Sequence, residues 1–150
     1  SLEMVVDTLN AKAAVFAVEE YFEQTKRERL PLLITAVIAD SGKIPSGQSL
    51  EAFLISIKHA KPLSVGITGS LGISELKGAA RVLAASCPSW CHVSGGAGDS
   101  ADALAAGLAD LASGQQINFA GACGATVAHA KAIAGKVQGS APRGLPVLPR

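Results

Sequence analysis

Aromatic side chains are scarce, at 4% of the 150 residues, and charge is scarce too, at 17%. Thirteen Lys+Arg stand against twelve Asp+Glu, so neither sign dominates and the formal charge is +1. A pI near 7.7 with no basic stripe argues against a nucleic-acid grip. The acidic residues are scattered, so there is no acidic tail. Three cysteines are an odd number in a chain that needs no stapling, which points to a reducing, cytoplasmic compartment. No apolar run reaches the roughly 18 residues of a spanning helix, and no membrane association is expected. Ser1-Leu2-Glu3-Met4 opens no basic-then-apolar leader, so no signal peptide is expected. The 49% hydrophobic fraction excludes disorder and suits one domain with its own core.

Apolar periodicity alternates between two types along the chain. Ala11, Val15, Val18 and Phe22 share one face of a helix expected over residues 7–29, and Leu30 to Ile38 reads as a buried strand. Pro31 is tolerable only near the start of that strand. A turn-rich stretch, Asp40 to Gly47, follows. Leu50, Phe53, Leu54 and Ile57 form the next helical face, then Leu63 to Thr68 a strand, then Leu76, Ala79, Ala80 and Leu83 a helix. Trp90 to Ser94 reads as a strand, followed by Gly95-Gly96-Ala97-Gly98 and a helix carrying Leu104, Leu108 and Leu111, capped by Asp99 or Ser100. Ile117 to Ala120 is the last expected strand. The last helix carries Ala130, Ile133, Ala134 and Val137, started by Thr126 and stopped by Gly139.

Strands thus begin near residues 32, 63, 90 and 117, roughly 27 to 31 residues apart. This pattern means right-handed βα units and a parallel sheet. Four strands do not close a (β/α)8 barrel, which takes about 250 residues, so the sheet is open or is part of a barrel. Residues 1–140 are read as the domain. Residues 141–150, with three prolines, are read as a linker-like tail.

Three stretches carry a family resemblance: Asp7-Thr8-Leu9-Asn10-Ala11-Lys12-Ala13-Ala14, Ser46-Gly47-Gln48-Ser49-Leu50-Glu51-Ala52-Phe53 and His59-Ala60-Lys61-Pro62-Leu63-Ser64-Val65-Gly66. They resemble the homocysteine-binding (homocysteine S-methyltransferase) barrel of cobalamin-dependent methionine synthase. Gly121-Ala122-Cys123-Gly124 with His129 is similar to that family's Gly-Cys-Cys-Gly turn and following helix. The tail resembles the Pro-rich exit toward a folate domain. The match begins at the end of the fourth barrel strand. The fold class it implies is α/β, with four parallel βα units equivalent to the second half of a (β/α)8 barrel.

In the family, three cysteine thiolates hold a zinc ion that binds the homocysteine sulfur. Zinc turns a thiol with pKa near 8.5 into a bound thiolate, the form that attacks a methyl group. Three protein ligands leave the fourth position for the substrate. Carried over residue by residue, the first ligand position is Gly69, in Thr68-Gly69-Ser70-Leu71-Gly72, and the adjacent pair is Ala122 and Cys123. One of three ligands survives, so zinc is not expected here. A rebuilt site from Cys87, Cys91, His92 and Cys123 meets two objections. Cys91 and His92 are successive strand residues facing opposite sides, and Cys87 precedes the strand, away from the active-site end.

Glu3 matches a family glutamate that contacts the substrate amino group; the alternative is a frayed terminal carboxylate. Ser94-Gly95-Gly96-Ala97-Gly98 stands where the family has His-Pro-Asn-Ala-Gly. It could be a phosphate cradle or simply a turn. His59 and His129 match residues that are not zinc ligands, which leaves surface or capping roles. No Asp-x-His-x-x-Gly segment occurs, so the chain is not expected to hold cobalamin.

The resemblance therefore implies a partial or degenerate homocysteine S-methyltransferase domain of the methionine synthase type, inactive when isolated. The alternatives are a non-catalytic, self-associating half-barrel module and a small-molecule enzyme rebuilt at the glycine-rich strand ends. Unpaired edge strands imply a homo-oligomer or a missing N-terminal half as partner.

Overall fold

The computed structural model describes residues 1–69, 72–96 and 98–145. Five βα units follow one another: β1 (Leu2–Val5) and α1 (Thr8–Thr25), β2 (Leu33–Val37) and α2 (Leu50–Ile57), β3 (Ser64–Thr68) and α3 (Ile73–Ser86), β4 (Trp90–Gly96) and α4 (Ala101–Ser113), β5 (Phe119–Cys123) and α5 (Val127–Val137). A 3-10 turn, Lys58–Ala60, extends α2. The strands lie side by side in chain order, and each neighbouring pair is parallel. This is an α/β fold consistent with half of a (β/α)8 barrel. Among the described residues, no helix is long and apolar enough to cross a membrane.

Among the described residues the sheet has five strands rather than the four expected. The added one, β1, is four residues long and sits at an edge. Only Leu2 and Val5 pair in register with β2, and Met4 between them takes a left-handed φ of 57°. So short and irregular a segment carries no readable period.

Other boundaries also moved, each for a local reason. The first helix stops at Thr25, not residue 29, because Lys26 takes a left-handed conformation at φ 53°. The strand expected from Leu30 starts at Leu33, past Pro31, which has no N–H to donate. The last strand starts at Phe119, not Ile117, because Asn118 pairs first, with its backbone N–H on the Cys91 carbonyl and its side-chain oxygen accepting from the Cys91 N–H. β4 runs on through Gly96. Gly95 is buried there because Leu104 of α4 occupies the space a side chain would need. Gly95 therefore serves strand–helix packing and not an open cradle. Ala97 lies outside the described residues.

Register sorts the strand residues onto two faces. Ala36, Ile67, Val93 and Ala120 form one row and Ile34, Val65 and Cys91 another, all turned toward the helices. They pack on the faces read from sequence: Leu50, Phe53, Leu54 and Ile57 of α2, Leu76, Ala80 and Leu83 of α3, and Leu104, Leu108 and Leu111 of α4 are all buried. Burial of these side chains at about 1.5–3 kcal/mol each is the main stabilising contribution.

The segment after α5 is not helical, and Arg143 within it is buried. The remainder of the expected tail, residues 146–150, lies outside the described residues.

Candidate functional site

The face away from the helices carries Thr35, Gly66, His92 and Phe119 in one row and Val37, Thr68, Ser94 and Gly121 in the next. His92 lies over Gly66, in space a Cβ there would occupy, and bridges three strands. Its Nδ1 is 2.7 Å from Ser64 Oγ on β3, and its Nε2 is 2.8 Å from Thr35 Oγ1 on β2. Ser64 donates its own proton to the Trp90 carbonyl at 3.1 Å, so it accepts from His92. The imidazole therefore carries its proton on Nδ1, and Thr35 donates to Nε2. Burial holds the His92 pKa below its ordinary value, and the charge of Glu3 opposes that only in part. Both nitrogens are engaged, so His92 is a neutral cross-strand brace.

Glu3 lies on β1, exposed, on the side of the sheet where its charge reaches His92. Cys123 ends β5 and is exposed. Gly69 follows β3, and a Cβ there would stand 2.7 Å from the carbonyl oxygen of Ile38, the residue after β2. Ala122 is in register with Gly95, the helix-facing position, whereas Cys123 is in register with Gly96 on the other face. The Ala122 side chain lines an open groove of about 600 Å³ between β5 and α5. The zinc positions implied by the resemblance thus hold an obstructed glycine, an alanine turned the other way and one thiol. These residues do not fit a three-thiolate zinc site.

Cys87 and Cys91 are fully buried on the helix side, and His92 is on the other side, so the sheet separates these candidates. Among the described residues, no three His, Cys, Asp or Glu side chains gather as a metal would require. Ser70 and Leu71, quoted with Gly69 above, lie outside the described residues.

The loops at the C-terminal ends of the strands are tied together by Asp99. Its carboxylate accepts from the Ile73 N–H at 2.7 Å, capping α3, whose own N-cap, Gly72, has no side chain. Its carbonyl lies 3.1 Å from His129 Nε2. The other ring nitrogen of His129 faces Thr126, at the N-cap of α5, with Nδ1 2.9 Å from Thr126 Oγ1. His129 is thus a capping residue, and Ser100 rather than Asp99 caps α4. Sequence reasoning missed the partners of Asp99, Thr35 and Ser64. A hydroxyl within an apolar run, Thr35 at mid-strand and Ser64 at the start of β3, was the available signal for the last two.

A family model described as homocysteine S-methyltransferase matches residues 1–137.

Proposed function

Because the chain belongs to the homocysteine S-methyltransferase family, we propose that it is a methyl-transfer domain of the methionine-synthase type, cytoplasmic, with homocysteine as the thiol acceptor, and degenerate in its activating site. Glu3 is the residue offered to the substrate amino group, and Cys123 is the remaining thiol at the strand ends. The observation that carries the degenerate reading is the Ile38 carbonyl oxygen, which crowds a Cβ at the first ligand position to 2.7 Å. Without a sulfur-activating metal, a homocysteine thiol at neutral pH is mostly protonated and a poor nucleophile. No cobalamin is held by this chain.

Metal analysis of the chain after incubation with zinc and gel filtration tests this. The expected result is far less than one ion per chain, with no methionine formed from homocysteine and a methyl donor. One tightly bound zinc per chain, lost in Cys123→Ser, would overturn the reading.

A second reading, a self-associating module, is favoured by the two unpaired edges. Among the described residues, β1 and β5 each pair with a single neighbour, and Met4 and Phe119 on them are 53% and 47% exposed. Completing eight strands takes further βα units, from an N-terminal half or a second copy. Sedimentation at several concentrations is expected to show a dimer or larger species. A strict monomer throughout would count against self-association.

A further inference from the structure

Among the described residues, the layer between sheet and helices opens to solvent at both ends of the sheet, and the two openings differ. At the β5 end, the groove of about 600 Å³ between β5 and α5 is walled mainly by small residues: Ala120, Gly121, Ala122, Ala125, Ala130 and Ala134. At the β1 end, a groove of about 400 Å³ between α1 and the segment before β2 is walled by large ones, among them Leu2, Tyr21, Phe22 and Leu30. The Tyr21 and Phe22 rings pack edge to face there. Charge divides the same way. α5 carries Lys131 and Lys136 and no acid, whereas α1 carries three glutamates and one lysine. Glu19 is paired with Arg29, but Glu20, Glu23, Lys131 and Lys136 make no ion pair among the described residues.

Resting on the self-associating reading above, we propose that a second copy of this chain fills both grooves, its β1–α1 end docked against the β5–α5 end of the first. Size and charge single out this joint between unlike ends. Bulky side chains at one end meet the space that alanine and glycine leave at the other, so the joint can pack without a void. Two β5 ends would set small against small and keep the groove open. The acidic α1 meets the basic α5, whereas α5 against α5 would bring lysines together.

Across such a joint the strands of the two copies run parallel, so the sheet and its helical layer both continue. A two-fold axis along the strands makes the joint twice, β5 to the partner's β1 and β1 to the partner's β5. Both edges are then covered, and assembly stops at two. Tyr21, Leu30 and Val127, 48%, 66% and 71% exposed in the single chain, line the two grooves and leave water in the dimer.

The test is sedimentation velocity of the full chain over a range of concentrations, with one variant at each end. Tyr21→Lys and Ala134→Glu alter exposed positions in the two grooves, and circular dichroism with urea unfolding checks that both fold. The parent is expected to be a dimer. In a homodimer of either variant every joint contains one altered end, so each alone is expected to associate about a hundredfold more weakly. Mixing the two variants is expected to restore dimers: one joint is then made of two unaltered ends, and the other brings opposite charges together. Only a joint between unlike ends gives this rescue. Lys131→Glu with Lys136→Glu leaves the apolar walls alone and is expected to weaken the dimer about tenfold at low salt and less at high salt. A parent that stays monomeric would overturn both this joint and the self-associating reading. A dimer that survives all the variants, or one lost in Ala134→Glu alone without rescue, would keep self-association and overturn the joint. Species that lengthen with concentration would overturn the two-fold closure.

Discussion

Gly66→Ala is expected to destabilise the chain by about 4 kcal/mol, most of a typical domain's margin. A methyl group at this position runs into the His92 ring. The ring cannot swing aside cheaply, because Ser64 and Thr35 hold its two nitrogens from neighbouring strands at 2.7 and 2.8 Å. Moving it breaks both hydrogen bonds and leaves the buried Thr35 hydroxyl and the ring nitrogens without partners, at about 1–3 kcal/mol per group, on top of the overpacking. Urea unfolding checks the magnitude. The pair Gly66→Ala with His92→Ala checks the cause: removing the ring is expected to make the alanine at 66 nearly harmless, a coupling of more than about 1 kcal/mol. A single substitution costing under about 1 kcal/mol would show that the brace yields easily.

Arg143→Met is expected to cost about 2–3 kcal/mol and to lower the melting temperature by roughly 5–10 °C. The loss has two parts. The last turn of α3 and the loop after it lose the donors on the Ala84, Cys87 and Ser89 carbonyls, and the positive charge that complements the end of the helix goes with them. Relief of the buried charge offsets part of this. Arg143→Lys keeps the charge but not the planar fork that reaches three carbonyls at once, so it is expected to recover less than half of the loss. Calorimetry of the two variants decides the matter. A methionine variant as stable as the parent would show that the segment after α5 is not anchored through this side chain.

Much of the fold was readable because its determinants are local. The buried faces of α2, α3 and α4 follow from 3.6-residue periodicity, and the alternation of helix with apolar strand implies a parallel sheet. Cys91 and His92 part to opposite sides for the same reason, since adjacent strand residues point in opposite directions. What was not readable depends on register between distant segments. Nothing near Gly66 announces that His92, 26 positions later, will lie across it. Nothing in a Pro-rich tail announces that Arg143 will reach the end of α3. β5 was shifted because Asn118, polar and inside the expected strand, spends its pairing on Cys91 before the ladder continues. The candidate site shows the same division. The residue identities at 69, 122 and 123 were legible, but the obstruction at Gly69 and the outward turn of Ala122 come from neighbouring strands.

Asp99 serves two neighbours with different atoms, its carboxylate on α3 and its carbonyl on His129 of α5. The starts of α3 and α5 and the loop before α4 are therefore one mechanical piece. Transplanting a foreign loop between β4 and α4 would uncap the helix on one flank and unseat the imidazole on the other. Any redesign that builds a new pocket there has to exchange three connections together.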